Sequence, residues 1–211
     1  MSDNSKQAVL DAALRHAVFD GFSDATLEHA AADAGITMTE ARALFPDGPV
    51  SLVEEFSRWI DSEMERRMKD GKIDTLSIRE KVALAVRMRI AILTPHKEAA
   101  RRAAAFLTLP RNAGLGAKLL YRASDAIWRV LGDTSTDFNF YTKRGILGGL
   151  LSATMFRWFN DTSENDKDTI AFLNARIENV MQMGTLQARM REAAKKLPSL
   201  SDLLKATAGR R

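Results

Sequence analysis

Any chemistry in this chain has to come from a few side chains. Three histidines, His16, His29 and His96, are scattered through 211 residues. None stands at ligand spacing from another histidine or a carboxylate pair, so they read as helix-packing or surface residues. The chain has no cysteine, hence no disulfide and no thiolate metal site. Ser124-Asp125 and Ser135-Thr136-Asp137 offer hydroxyls, but no base accompanies them. Helix capping is the simpler account of Asp133 to Asp137. Gly145-x-x-Gly148-Gly149 is not a phosphate loop, because it follows Lys143-Arg144 inside a helical pattern with no strand before it. The expectation is a chain without catalysis, cofactor or metal.

Two constellations suit binding. Phe140, Tyr141, Lys143 and Arg144 follow closely after the polar stretch that ends at Asp137. On a helix Phe140, Lys143 and Arg144 share a face, with Tyr141 about 100° round from Phe140. Aromatics beside arginine are what interface hot spots favour, so this cluster, with Asp137, is expected to face a protein partner; the other reading buries both aromatics against neighbouring helices and leaves the charges in water. The second lies at the C-terminal end. Leu186, Met190, Leu197, Leu200 and Leu204 fall on one helical face, while Arg189, Arg191, Lys195 and Lys196 lie away from it. A basic amphipathic helix of this kind reads as a membrane-surface or partner-groove element.

The elements that must position these residues read as helices throughout, and the predicted class is all-α. Val9 to Phe19 carries a 3.6-residue repeat and stops at Asp20-Gly21. Ser23 or Asp24 caps a helix to Ala34. Thr39 to Phe45 makes a third, closed by Pro46-Asp47-Gly48-Pro49, and the three short helices form a helix-turn-helix unit. Val50 to Lys69 and Leu76 to Leu93 are amphipathic. Thr94 caps the next helix, which starts at Pro95 and runs to Leu109. Asn112 to Leu131 follows, and Glu164 to Met183 ends the body. Between them, Gly145 to Phe159 is the most apolar run in the chain. At fifteen residues it is short of the roughly 20 needed to span a bilayer. It is expected to be a helix at the bundle centre. Gly145, Gly149 and Ala153 recur along it, leaving room for close helix packing or for an apolar ligand. Leu147, Leu150, Leu151, Met155 and Phe159, with Leu115, Leu119, Ile127 and Trp128 from the preceding helix, are the candidate lining. The expected divisions are residues 1–48, 49–183 and 184–211.

Charge argues against the obvious role of a helix-turn-helix. Residues 1–56 carry 10 acidic and 3 basic side chains, a net of −7, although the whole chain is +4. Duplex affinity comes from Lys and Arg on phosphates and base edges, and the third helix offers Arg42 alone, against Glu40 and Asp47. The N-terminus, Met-Ser-Asp-Asn-Ser-Lys, has no basic and apolar signal pattern, and a cytoplasmic location is expected.

The segments V-L-D-A-A-L, G-F-S-D-A-T-L, A-A-A-D-A-G-I-T and L-F-P resemble the N-terminal domain of TetR-type regulators over residues 8–56. A Lys usual soon after the Phe-Pro pair is replaced here by Asp47-Gly48-Pro49. F-P-D-G-P-V-S-L-V, F-S-R-W, D-A-I-W-R and G-D-T-S-T-D-F-N-F-Y-T-K-R resemble, over most of residues 8–183, the coenzyme Q biosynthesis protein 9 family. That resemblance implies a TetR-like bundle that has lost DNA binding and is a non-catalytic accessory protein of ubiquinone synthesis. It implies a pocket for an isoprenoid quinone intermediate, a homodimer, and a C-terminal lipid-binding helix resting peripherally on the inner, anionic membrane surface. It also implies that the Phe140–Arg144 motif meets the demethoxyubiquinone hydroxylase. The other reading is a ligand-responsive TetR-type repressor that binds DNA.

Overall fold

The computed structural model describes residues 2–71, 73–136 and 138–195, and among these every regular element is helical. The order is α1 (Ser2–Asp20), α2 (Asp24–Asp33), α3 (Met38–Leu44), α4 (Pro49–Asp70), α5 (Ile78–Leu93), α6 (Lys97–Thr108), α7 (Ala113–Val130), α8 (Phe138–Phe159) and α9 (Lys167–Lys195). Short 3₁₀ turns precede α6, α7 and α9.

Local chemistry sets the helix starts. Ser23 accepts from the Thr26 amide at the head of α2. Thr37 with Glu40, and Ser77 with Glu80, form reciprocal capping boxes at α3 and α5. Gly48 starts α4 at φ +55°, where a Cβ would stand 3.1 Å from the Asp24 carboxylate, so the turn after α3 closes onto α2 only with glycine. Thr94 is not a cap: its hydroxyl donates back to Ile90 O inside the previous turn, and α6 begins only after a 3₁₀ turn at Pro95.

The long helix α4 joins the two halves. Its buried Leu52, Val53, Phe56, Ile60, Met64 and Met68 follow the helical repeat, and each such burial contributes about 1.5–3 kcal/mol. Its upper part packs on α1 and α2, and its length runs along α5 and α7. Phe22, from the α1–α2 turn, stacks on Phe56 at 6.4 Å and tilts against Phe106 of α6 at 6.5 Å. These contacts tie the helix-turn-helix unit to the body.

The apolar run in α8 is not the buried axis the sequence suggested. It packs on α7 and α9, touches α5, and leaves one face open. Tyr141 is 67%, Ile146 46% and Phe156 74% exposed, and a Cβ added at Gly145 or Gly149 would meet nothing within 4 Å. Glycines and an alanine on an outward face raise the apolar content of a helix without marking it as central. Further on, α9 runs unbroken past Met183 to Lys195, so position 184 does not interrupt the helix.

Candidate functional site

A cavity of about 790 Å³ lies between α4, α5, α6, α7 and α8. That is large for a ligand pocket, within the usual range of about 300–1,000 Å³. It exists because the facing surfaces are built from small residues: Ala100, Ala103 and Ala104 on α6, and Gly116, Ala117 and Ala123 on α7. Val53, Phe56 and Ile60 of α4 form another wall, and Leu151, Met155, Phe156 and Phe159 of α8 another. At Gly116 a Cβ would lie 3.3 Å from Leu107 O, so the first turn of α7 closes tightly on the end of α6. The wall is mostly apolar. Its cationic members are Arg89, buried and ion-paired to Asp61, and Arg101, which donates to Phe159 O.

Of the nine residues expected to line a pocket, Leu119, Leu151, Met155 and Phe159 do. The other five do not. Ile127, Leu147 and Leu150 are 0%, 2% and 8% exposed and belong to the packed core. Trp128 donates its indole N–H to Lys143 O at 3.2 Å, and Leu115 packs against the core at its edge. The reason is rotational: the α7 and α8 faces that meet each other are the most apolar, whereas the pocket is faced by the smaller residues beside them. The walls from α4 and α6 were missed, although the alanine-rich run Ala99–Ala105 was a readable sign of a face that cannot fill space.

At the start of α8 the structure corrects the expected partner surface. Arg144 is buried at 3% exposure. It donates from Nε to Asp125 at 2.8 Å, from Nη1 to Asp133 at 3.2 Å and to Phe140 O at 3.1 Å, and its guanidinium lies 3.3 Å from the centroid of the Phe140 ring. Lys143, half-buried, donates to Asp133 at 2.7 Å and sits 5.3 Å over the Trp128 ring. The shared face of Phe140, Lys143 and Arg144 is therefore real, but Arg144 is turned inward because two carboxylates wait there. Asp133 is not a cap. The Lys143, Ser135 and Arg144 hydrogen bonds hold its carboxyl well below the ordinary carboxylate range. Tyr141 alone of the four projects into solvent, its ring edge-on to Phe140 at 5.2 Å. Asp137 lies outside the described residues.

The expected membrane residues Leu186, Arg189, Met190, Arg191 and Lys195 fall on the backbone of α9, with their side chains outside the described residues, as are Lys196 and Leu197 entirely. Among the described residues no helix is long and apolar enough to cross a membrane. On α3, Arg42 reaches the Asp24 carboxylate at 3.3 Å. The histidines are less scattered than their numbering suggests: α1 and α2 bring His16 and His29 to 5.2 Å between ring centroids.

Comparison with known proteins bears on the fold and on the family likeness. The COQ9 family model matches residues 113–184, which include α7 and α8. The ubiquinone biosynthesis protein COQ9, mitochondrial, of Xenopus tropicalis is 34% identical over 189 residues, 85% of this chain. The human protein of that name is 28% identical over 83% of the chain. This chain is similar to the COQ9 proteins over most of its length. It spans 59% of the length of the Xenopus tropicalis protein and 57% of the human one. The COQ9 relatives carry mitochondrial in their names. Among solved structures, a TetR transcriptional regulator from Nitrosomonas europaea superposes with a TM-score of 0.69. It is 18% identical, covering 83% of this chain and 97% of that one. A TetR-family regulator from Rhodococcus sp. gives 0.58 at 17% identity, over 85% of this chain and all of that one. At such identities the likeness establishes the TetR-like fold alone. The resemblance to COQ9 and the all-α TetR-like class thus both hold.

Proposed function

We propose that this chain acts in ubiquinone biosynthesis as a non-catalytic lipid-binding protein. It holds an isoprenoid quinone intermediate and presents it to the demethoxyubiquinone hydroxylase at a membrane surface. The observation that carries this is the 790 Å³ cavity, walled by small apolar side chains, in a chain related to proteins named for ubiquinone synthesis. A polyprenyl tail needs such a wall, since it gains from leaving water and asks for no directional partner. Arg89 and Arg101 supply hydrogen-bond donors on that wall for quinone or phenol oxygens. The basic C-terminal segment from Gly184 supports docking on an anionic, inner-membrane surface, where each basic residue contributes about 1 kcal/mol. A homodimer fits the open apolar face of α8 that carries Ile146 and Phe156.

DNA binding does not fit the charge. Residues 1–56 net −7, and Arg42 already faces Asp24. A duplex would meet a surface of its own sign.

Native mass spectrometry of the purified protein, with identification of the released lipid, tests the proposal. A quinone or polyprenyl species bound in stoichiometric amount is the expected result. A protein that is empty, takes up no quinone from detergent, and shifts a promoter fragment at sub-micromolar concentration overturns it in favour of a ligand-responsive repressor.

A further inference from the structure

The junction of α1 and α2 holds a cluster that the cavity does not involve. His16 and Asp20 stand four residues apart on α1, one turn of helix, so both side chains leave the same face. His29 comes from α2. One ligand atom from each of the three lies within 4.8 Å of the other two. His29 Nδ1 and Asp20 Oδ2 are already 3.3 Å apart, the separation that two ligands adopt around a tetrahedral zinc at about 2.0–2.1 Å. The His16 ring tilts toward the His29 ring with centroids 5.2 Å apart.

His16 is oriented by a fourth residue. Its Nε2 is 2.9 Å from Asp33 Oδ2. A carboxylate only accepts, so Nε2 carries the proton and Nδ1 keeps its lone pair. A carboxylate behind a histidine is the usual outer partner of a metal-bound imidazole. The surrounding residues 1–56, net −7, draw cations toward this end of the molecule.

We propose that His16, Asp20 and His29 form a binding site for a divalent first-row transition metal of the zinc type, which clips α1 to α2. Two imidazoles and one carboxylate select zinc, cobalt, nickel or copper over magnesium and calcium, which want oxygen alone. Closing the outer distance from 4.8 Å to the roughly 3.3 Å of a tetrahedral site needs only side-chain rotation, because Asp20 and His29 are exposed and His16 is half-buried. The fourth position stays open to water. The inference is independent of the lipid reading, since the cavity is lined by other residues.

The untagged full chain, stripped with chelator and dialysed, is titrated with Zn²⁺ by calorimetry and with Co²⁺ by visible absorption. One equivalent bound in the micromolar range is expected, with the absorption of a four- or five-coordinate cobalt. Melting should rise with Zn²⁺. His16→Gln and His29→Gln should each weaken binding at least tenfold, and Asp33→Asn several-fold, while His96→Gln changes nothing. Absence of stoichiometric uptake by the unsubstituted protein overturns the proposal. So does full-strength uptake by the His16→Gln/His29→Gln double variant, which would place the ion elsewhere. Should that variant fail to fold, the cobalt spectrum of the unsubstituted chain still decides, because imidazole-free carboxylate sites stay octahedral and nearly colourless.

Discussion

Arg144 and Asp133 form an ion pair at 3.2 Å with their side chains only 2% and 5% exposed. Asp125 completes the arrangement from α7, at 2.8 Å from Arg144 Nε. One guanidinium thus ties the end of α7, the connecting loop and the first turns of α8 together. Burying it is costly, and the cost is recovered only while the carboxylates stay in place.

Arg144→Glu should therefore destabilise strongly, reversing the expectation that a surface arginine would change nothing. Removing one member of a buried pair costs about 3–5 kcal/mol, and the new carboxylate would also face Asp125 and Asp133. Arg144→Met should cost less, because Lys143 still neutralises Asp133. Urea unfolding of both variants measures this; a midpoint unchanged in Arg144→Glu would mean that the arginine is free in solution.

Acidification should weaken the fold in two stages. Burial against Phe56 and Trp59 pushes the His96 pKa below its ordinary value. The unfolded chain then binds the proton first, and stability falls as pH drops below about 6.5. Asp133 is held low by Lys143, Ser135 and Arg144, and Asp161 by Ser163 and Thr169. Their contribution is complete above the unfolded value near pH 4 and is lost on going lower. Thermal melts from pH 8 to pH 3 should show a shallow decline and then a steep one. His96→Gln should remove the first, and Asp161→Asn should blunt the second.

Filling the cavity should separate its two properties. Ala103 lines it from α6 and is 7% exposed. Ala103→Phe would put a ring into open space, and the added apolar burial contributes to stability where no strain is imposed. Bound lipid per protein, read by mass spectrometry, should drop several-fold with no fall in melting temperature. Equal lipid content in a well-folded variant would show that the ligand occupies another place.

The helices were legible in the sequence because each has its own punctuation: Ser23 before α2, Gly35 after it, and the Pro46–Pro49 turn before α4. The buried positions of α4 followed from spacing alone. What could not be read was rotation about the helix axes. Ile127 and Leu119 are both apolar residues of α7, yet one packs into the core and the other faces the cavity. Arg144 looked like a surface charge because Asp125 and Asp133, its partners, stand 19 and 11 residues earlier. The His16–His29 approach had a signal that was missed. The two lie almost symmetrically about the turn at Gly21–Ser23, so antiparallel packing of α1 on α2 brings them together.

With Arg144 turned inward, the proposed partner surface at the start of α8 rests on Tyr141. It is 67% exposed, and its ring leans edge-on against Phe140 at 5.2 Å. Phe140 is itself fixed beneath the Arg144 guanidinium. An exposed tyrosine held on a rigid base loses little freedom on binding, which is what a hot spot needs. Tyr141→Ala should leave the melting temperature within a degree or two, since little of the ring is buried within the chain. Capture of the hydroxylase, and ubiquinone output in cells, should fall by roughly tenfold or more, the scale of an anchor worth about 2 kcal/mol. Tyr141→Phe should retain most of both, because the ring and not the hydroxyl supplies the contact area. Normal capture by a folded Tyr141→Ala protein would remove this face of α8 from the proposal, with the exposed side of α9 as the next to probe.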